Sequence, residues 1–193
     1  MKTKQFLAVI ALMAFGFISM SFTTDEPKSR VVEEGGTGPY KAIMKEEASL
    51  KAHTIFVPQD LSAFGKKKQL PVLVWGNGAC NNSPFEHYLF LNEIASYGYI
   101  VVATGFYPEE GERYRGPMST TEQQIESIDW VIAQNSDKNS PYYQKIDVKN
   151  IAVAGMSCGG LQTLYNCADP RIKTLMICTK RQEAVRFCIC TVG

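Results

Sequence analysis

Ile151-Ala-Val-Ala-Gly155-Met156-Ser157-Cys158-Gly159-Gly160-Leu161 decides how the rest of the chain is read. An apolar run fit for a buried strand enters the pattern Gly-x-Ser-x-Gly, and a helix-compatible stretch leaves it. A passage from strand to helix within so few residues leaves no room for side chains at the flanking positions, which accounts for Gly155 and Gly159. The same turn makes Ser157 project its hydroxyl above the sheet edge, as a nucleophile would. The following backbone N–H, that of Cys158, opens the helix and points to where negative charge could be received. A structural glycine turn would give the same letters without the strand before and the helix after.

Upstream, Trp75-Gly76-Asn77-Gly78-Ala79-Cys80 directly follows the apolar run Pro71-Val-Leu-Val-Trp75. Small residues there let a backbone N–H approach a substrate oxygen closely, and the donor is assigned to Ala79, with Gly78 or Cys80 as neighbouring alternatives. Between the two loops the pattern alternates. Phe85 to Tyr97 carries apolar residues near helical spacing, Tyr99 to Thr104 is a buried strand, and Thr120 to Gln134 has Ile125, Ile128, Val131 and Ile132 on one face behind Ser119 or Thr120 as N-cap. After the elbow come a helix over Cys158 to Cys167 and a strand over Ile172 to Cys178; before Pro71, Tyr40 to Lys45 and His53 to Pro58 are strand-like. The expectation is an α/β fold with a mostly parallel sheet and flanking helices.

The stretch from Pro71 to Ile177 resembles the secreted polyester-hydrolase, cutinase-like and dienelactone-hydrolase-like branch of the α/β-hydrolases, to which platelet-activating-factor acetylhydrolase is also similar. The likeness is carried by Val72 to Gly78, Ile94-Ala-Ser-Tyr-Gly-Tyr-Ile-Val-Val102, Ser140-Pro-Tyr-Tyr-Gln-Lys-Ile-Asp147, and the elbow followed by Asp169-Pro-Arg-Ile-Lys173. It implies the α/β-hydrolase fold, Ser157 as nucleophile, an acyl-enzyme, small-molecule or polymeric ester substrates, and neither a metal nor an organic cofactor.

In such a fold the acid and the histidine follow the serine along the chain. After Ser157 there is no histidine, and the carboxylates are Asp169, in an Asp-Pro turn, and Glu183. Asp169 reads as a turn residue. The two histidines, His53 on an early strand and His87 near the helix after the Trp75 loop, read as structural or surface residues. The stretch 179–193 departs from the family pattern and reads as an atypical, out-of-frame or replaced tail. The expectation is therefore a fold incomplete at its C-terminal end, truncated before its base and acid, with little or no turnover; a shortened natural variant would have to leave the apolar edge of its sheet uncovered or find a partner for it. The rival is a non-catalytic module that keeps the hydrolase fold to bind a ligand.

Twenty basic against nineteen acidic residues leave a formal charge of +1, which gives no footprint for nucleic acid and suits a neutral substrate. Lys2 and Lys4 precede the apolar run Phe6 to Met20, followed by Ser21 to Thr24. This reads as a secretory signal peptide cleaved near Ser21 or Thr23; as a stable membrane anchor the run falls short of the ~18 to 20 apolar residues a spanning helix needs. No cysteine follows where a lipoprotein would be acylated, so the expected destination is soluble export, secreted or periplasmic. The chain divides into a signal peptide over 1–23, a linker over 24–38, a partial hydrolase core over 39–178 and the tail. Six cysteines in an exported chain permit disulfides. Cys80 and Cys158, on the two loops of the site, are either bridged or two small buried thiols.

Overall fold

The computed structural model describes residues 26–111, 113–181 and 184–191, with side chains as far as Thr179; the expected signal peptide lies outside them. Eight strands form one sheet: β1 (Ser29–Val31), β2 (Ala42–Lys45), β3 (His53–Pro58), β4 (Leu70–Gly76), β5 (Ile100–Thr104), β6 (Ile146–Met156), β7 (Ile172–Arg181) and β8 (Ala184–Thr191). Their spatial order is β1-β2-β3-β5-β4-β6-β7-β8. The central strands β5, β4, β6 and β7 run parallel, and the strands outside them pair antiparallel. Parallel neighbours require crossovers, which the helices α1 (Tyr88–Ser96), α2 (Glu122–Ser136) and α3 (Cys158–Tyr165) supply. This is the α/β-hydrolase-type architecture expected from the sequence, with its parallel character concentrated in the strands that carry the two loops of interest.

The central strands read as unbroken apolar runs because both of their faces are covered. Every residue of β5 and of β3 is buried. On one face Ile128 and Val131 of α2, both fully buried, pack with Val72, Val74, Val102 and Val153, while Ile125 and Ile132 complete the stripe. Each such side chain contributes about 1.5–3 kcal/mol on leaving water. On the other face Leu91 and Ala95 of α1 pack with Leu73, Trp75, Val101 and Ala154. α1 begins at Tyr88, so Phe85 lies before it, and Leu89 faces solvent. At the start of α2 the Thr120 N–H donates to Gln123 Oε1 at 2.8 Å, half of a capping box.

Two segments enter the sheet where the sequence suggested otherwise. Part of the polar stretch read as a linker forms β1, paired with β2, and Val32 beside it is buried. A three-residue edge strand needs one neighbour only, and its polar side chains can face water. The tail also joins: Thr179 to Arg181 extend β7, and β8 pairs antiparallel with it from Thr174↔Thr191 to Arg181↔Ala184. Of the two outcomes open for the edge of β7, bare or partnered, the structure has the partner.

Candidate functional site

β4 and β6 lie side by side with Gly76 opposite Gly155, so the two loops that leave them emerge together. After Gly155, Met156 closes β6 and Ser157 takes φ 49 and ψ −111 before α3 begins at Cys158. That backbone is unfavourable for a residue with a Cβ, and such geometry persists only where the surroundings over-determine it. Here the Ser157 N–H donates to the Cys178 carbonyl of β7 at 2.8 Å, and the Ser157 carbonyl accepts from the Leu161 N–H at 3.0 Å. Held at both ends, Ser157 itself is exposed.

Glycine at Gly76, Gly155 and Gly159 is a matter of contact distance. A Cβ on Gly159 would stand 2.2 Å from the Gly76 carbonyl carbon and oxygen, and one on Gly155 would stand 2.3 Å from the Gly159 carbonyl group. Strand, strand and helix meet backbone to backbone. The Gly159 N–H bonds the Asn77 carbonyl at 3.0 Å across that contact.

The loop after β4 tightens into a 3-10 turn over Gly78–Cys80, with Ala79 at φ 53 and Cys80 at φ 48. Cys80 is disulfide-bonded to Cys158, their Cα atoms 5.2 Å apart. Of the two readings left open by the sequence, the bridge is the one the structure contains. Ala79 and Cys158 therefore sit on two short backbone segments joined covalently, next to an exposed serine. The first N–H groups of α3 have no intrahelical acceptor and carry the positive end of the helix dipole, an arrangement able to receive negative charge on an oxygen.

Sequence reasoning missed the polar frame behind these loops. Asn77 is buried and donates through Nδ2 to the Asn81 carbonyl at 2.9 Å and the Thr104 carbonyl at 2.7 Å, which pins the turn to β5. Ser119 holds the Cys80 carbonyl through its N–H at 2.8 Å, and Gln162 of α3 donates to the Ser119 carbonyl at 2.9 Å. Gln123 donates to Asn82 Oδ1, and Gln124, fully buried, donates to Thr163 Oγ1, both at 3.0 Å. The one available signal was a run of amides at the start of an otherwise amphipathic helix.

The histidines are occupied elsewhere. His53 is buried, with its two ring nitrogens each 2.8 Å from a carbonyl oxygen, those of Lys51 and Gln123. His87 leans on Trp75, ring centroids 5.2 Å apart, and its buried Nδ1 has no partner. Burial pushes the His87 imidazole below its ordinary value, against the raising influence of Glu86. Asp169 is gripped by Arg171, whose backbone N–H and Nε both reach Oδ1 at 2.9 Å while Nη2 reaches Oδ2 at 2.6 Å. These bonds hold its carboxyl below the usual range. It closes the turn before β7, as its Asp-Pro context suggested. Glu183 lies outside the described residues. Among the described residues, no hydrogen bond joins Ser157 to an imidazole or a carboxylate, no cluster of His, Cys, Asp and Glu is placed to hold a metal ion, and no helix is long and apolar enough to cross a membrane.

A cavity of about 600 Å³ is lined by Ser83, Tyr107, Arg113, Tyr114 and Arg115 among others, and none of Ser157, Cys158 and Ala79 is in its lining.

Residues 89–192, more than half of the chain, match a family model described as PETase: PET hydrolase-like. The chain belongs to this PET hydrolase-like family. The matched span contains the elbow and α3 and runs on through 179–192, so the likeness does not stop at Thr179 where the sequence alone suggested a break. β4 and the Gly78–Cys80 turn precede the matched span and are placed beside the elbow by the structure. No curated protein matches the chain.

Proposed function

We propose that the chain carries the acyl-transfer half of an ester-hydrolase site, with Ser157 as nucleophile and the backbone N–H groups of Cys158 and Ala79 as the oxyanion hole. The single observation that carries this is the exposed Ser157 at the strand-to-helix apex, with the Gly78–Cys80 turn bonded to the next residue. Family membership supports a hydrolase, and the near-neutral charge suits an uncharged ester, small or polymeric.

In the step proposed, Ser157 Oγ bonds to the ester carbonyl carbon and the carbonyl π pair moves onto oxygen, where the two N–H groups receive it. Collapse expels the alcohol and leaves acyl-Ser157; water then releases the acid and restores the serine. With no imidazole on Ser157, its proton passes to solvent and the hydroxyl is a weak nucleophile. Related serine sites stripped of their triad keep roughly 10³–10⁴-fold over water from oxyanion hole and binding. Slow acylation is the expected behaviour.

A fluorophosphonate probe tests this, because Ser157 Oγ bonds to its phosphorus as fluoride leaves, and the phosphonyl oxygen draws on the same donors in the five-coordinate transition state. Slow labelling at Ser157, absent in Ser157→Ala and located by peptide mass, is expected. No labelling at a high probe concentration would leave the fold as a ligand-binding module, the reading that the unaccompanied serine otherwise favours.

Export is part of the proposal. The apolar run behind Lys2 and Lys4 supports it, as does a disulfide, which persists in oxidising compartments. N-terminal sequencing of protein recovered outside the cytoplasm should begin near Ser21 to Thr24; retention of Met1 would count against export.

A further inference from the structure

The turn that holds one proposed oxyanion donor and the helix that holds the other are tied directly in two places. At the near end, the Gly159 N–H bonds the Asn77 carbonyl at 3.0 Å. At the far end, Cys80 is bonded to Cys158, closing a sequence separation of 78 residues. Ala79 lies between these ties. It and Cys80 both have positive φ without being glycine, and backbone of that kind relaxes when its surroundings let go. The remaining link at the far end is indirect, from the Cys80 carbonyl through Ser119 to Gln162. Only the disulfide joins the last residue of the turn to the residue whose own N–H is the second donor.

We propose that the Cys80–Cys158 disulfide is a positioning element of the oxyanion hole, and that a dithiol able to reduce it slows acyl transfer at Ser157. The inference rests on the acyl-transfer reading above. Cys158 is half-buried rather than sealed, so a thiolate can attack its sulfur; Cys80 is buried. The dithiol gives up two electrons and two protons and becomes a cyclic disulfide, while the Sγ–Sγ bond breaks to two thiols. Once freed, the Gly78–Cys80 turn loses its far tie and the Ala79 N–H leaves its line to the substrate oxygen. With no imidazole bonded to Ser157, the reactivity that remains depends on these donors, so the bridge can be read without a triad masking it.

The test measures fluorophosphonate labelling of Ser157 against probe concentration in the oxidised protein, after dithiothreitol, and in the Cys80→Ser/Cys158→Ser variant, with thermal melts of each. Removing one oxyanion donor outright costs other serine hydrolases about 10²–10³-fold, so a displaced donor should cost about tenfold to hundredfold. The loss should fall on the saturating rate, with the half-saturating concentration unchanged and the melting midpoint still above the assay temperature. Reoxidation with diamide should restore the reduced wild type but not the variant. Equal rates with and without the bridge overturn the proposal and leave the acyl-transfer reading standing. A reduced form that has melted at the assay temperature also overturns it, since the bridge then serves folding alone. An oxidised protein that never labels overturns the acyl-transfer reading and the proposal with it.

Discussion

The elbow at Gly155–Gly159 and the turn at Gly76–Cys80 meet through backbone contact, a hydrogen bond and a disulfide, whereas neither histidine is bonded to Ser157. His53 sits between two carbonyl oxygens, and His87 lies against Trp75. The first region rests on close main-chain contact between strands and helix, backed by the Asn77 amide and the Cys80–Cys158 bridge. A general base is a side chain brought from another part of the fold, and here neither imidazole is delivered to Ser157. Electrostatic stabilisation and proton transfer are thus separable in this molecule, which makes each half open to attack by itself.

The backbone half breaks most completely at Gly159. A methyl group there has no flexible neighbour to displace, only the Gly76 carbonyl 2.2 Å away. Gly159→Ala should cost about 4 kcal/mol or more, the range reserved for severe backbone and packing conflicts, and should abolish a cooperative melt followed by circular dichroism. If Gly159→Ala melts like the wild type, the close approach of β4 to α3 is not what assembles the site.

His53 sharpens the contrast from the other side. His53→Leu removes the ring from one part-buried carbonyl oxygen and from the buried Gln123 carbonyl, which keeps its bond from Ser127 Oγ, and urea denaturation should show a loss of about 1–3 kcal/mol. Labelling of Ser157 in the folded variant should keep its rate. A collapse of labelling without a loss of stability would instead make His53 part of the chemistry.

Which of these features could be read from sequence follows from how local their causes are. The elbow was legible because strand, turn and helix are consecutive, and α2 because Ile125, Ile128, Val131 and Ile132 repeat at helical spacing over a single segment. The buried runs of β3, β4 and β5 needed no partner to be recognised. By contrast, β6 starts at Ile146, well before the apolar Ile151, and Lys149 and Asn150 in that extension are exposed. It is held by pairing with Leu70 and by the Ile146 N–H on Asn135 Oδ1 at 3.0 Å, neither visible from its own residues. Likewise β1 is recognisable only through β2. The bridge stayed an open choice because its cysteines are 78 residues apart. Gln123, Gln124 and Ser127 escaped notice because buried polar side chains break the apolar pattern by which a core is recognised.

Asp169 offers a smaller effect and a cleaner distinction. Its bonds to Arg171 mark it as the closure of a turn, and both side chains are partly screened by solvent. Asp169→Asn should cost about 1 kcal/mol at neutral pH. Because Arg171 lowers the folded carboxyl, the wild-type advantage is present above the ordinary aspartate range and disappears as the pH falls through the lowered value. Ser157 labelling should not change. If Asp169→Asn leaves stability intact and removes labelling, Asp169 belongs to the site and the comparison fails on its acidic side.

His87 should give the smallest signal. Burial lowers its folded value below the 6.5 of a free imidazole, so near that pH the unfolded chain takes up a proton that the folded chain refuses. Stability contributed by the neutral ring is therefore present above the unfolded value and lost as the pH falls through it, the opposite of a histidine gaining an anionic partner. Between about pH 7.5 and 5.5 the wild-type urea midpoint should drop on acidification more than that of His87→Gln, whose side chain does not titrate; carboxylates present in both proteins set the shared background. Equal slopes would mean that the ring is wetter than its contact with Trp75 implies. The same pair of proteins probes the chemistry. A neutral imidazole at pH 7 is in the right form for a base, so if Ser157 labelling rises with pH in the wild type and the rise is missing in His87→Gln, His87 takes the serine proton. If both profiles coincide, the burial that lowers the His87 value serves packing against β4, and neither imidazole of the described residues takes the Ser157 proton.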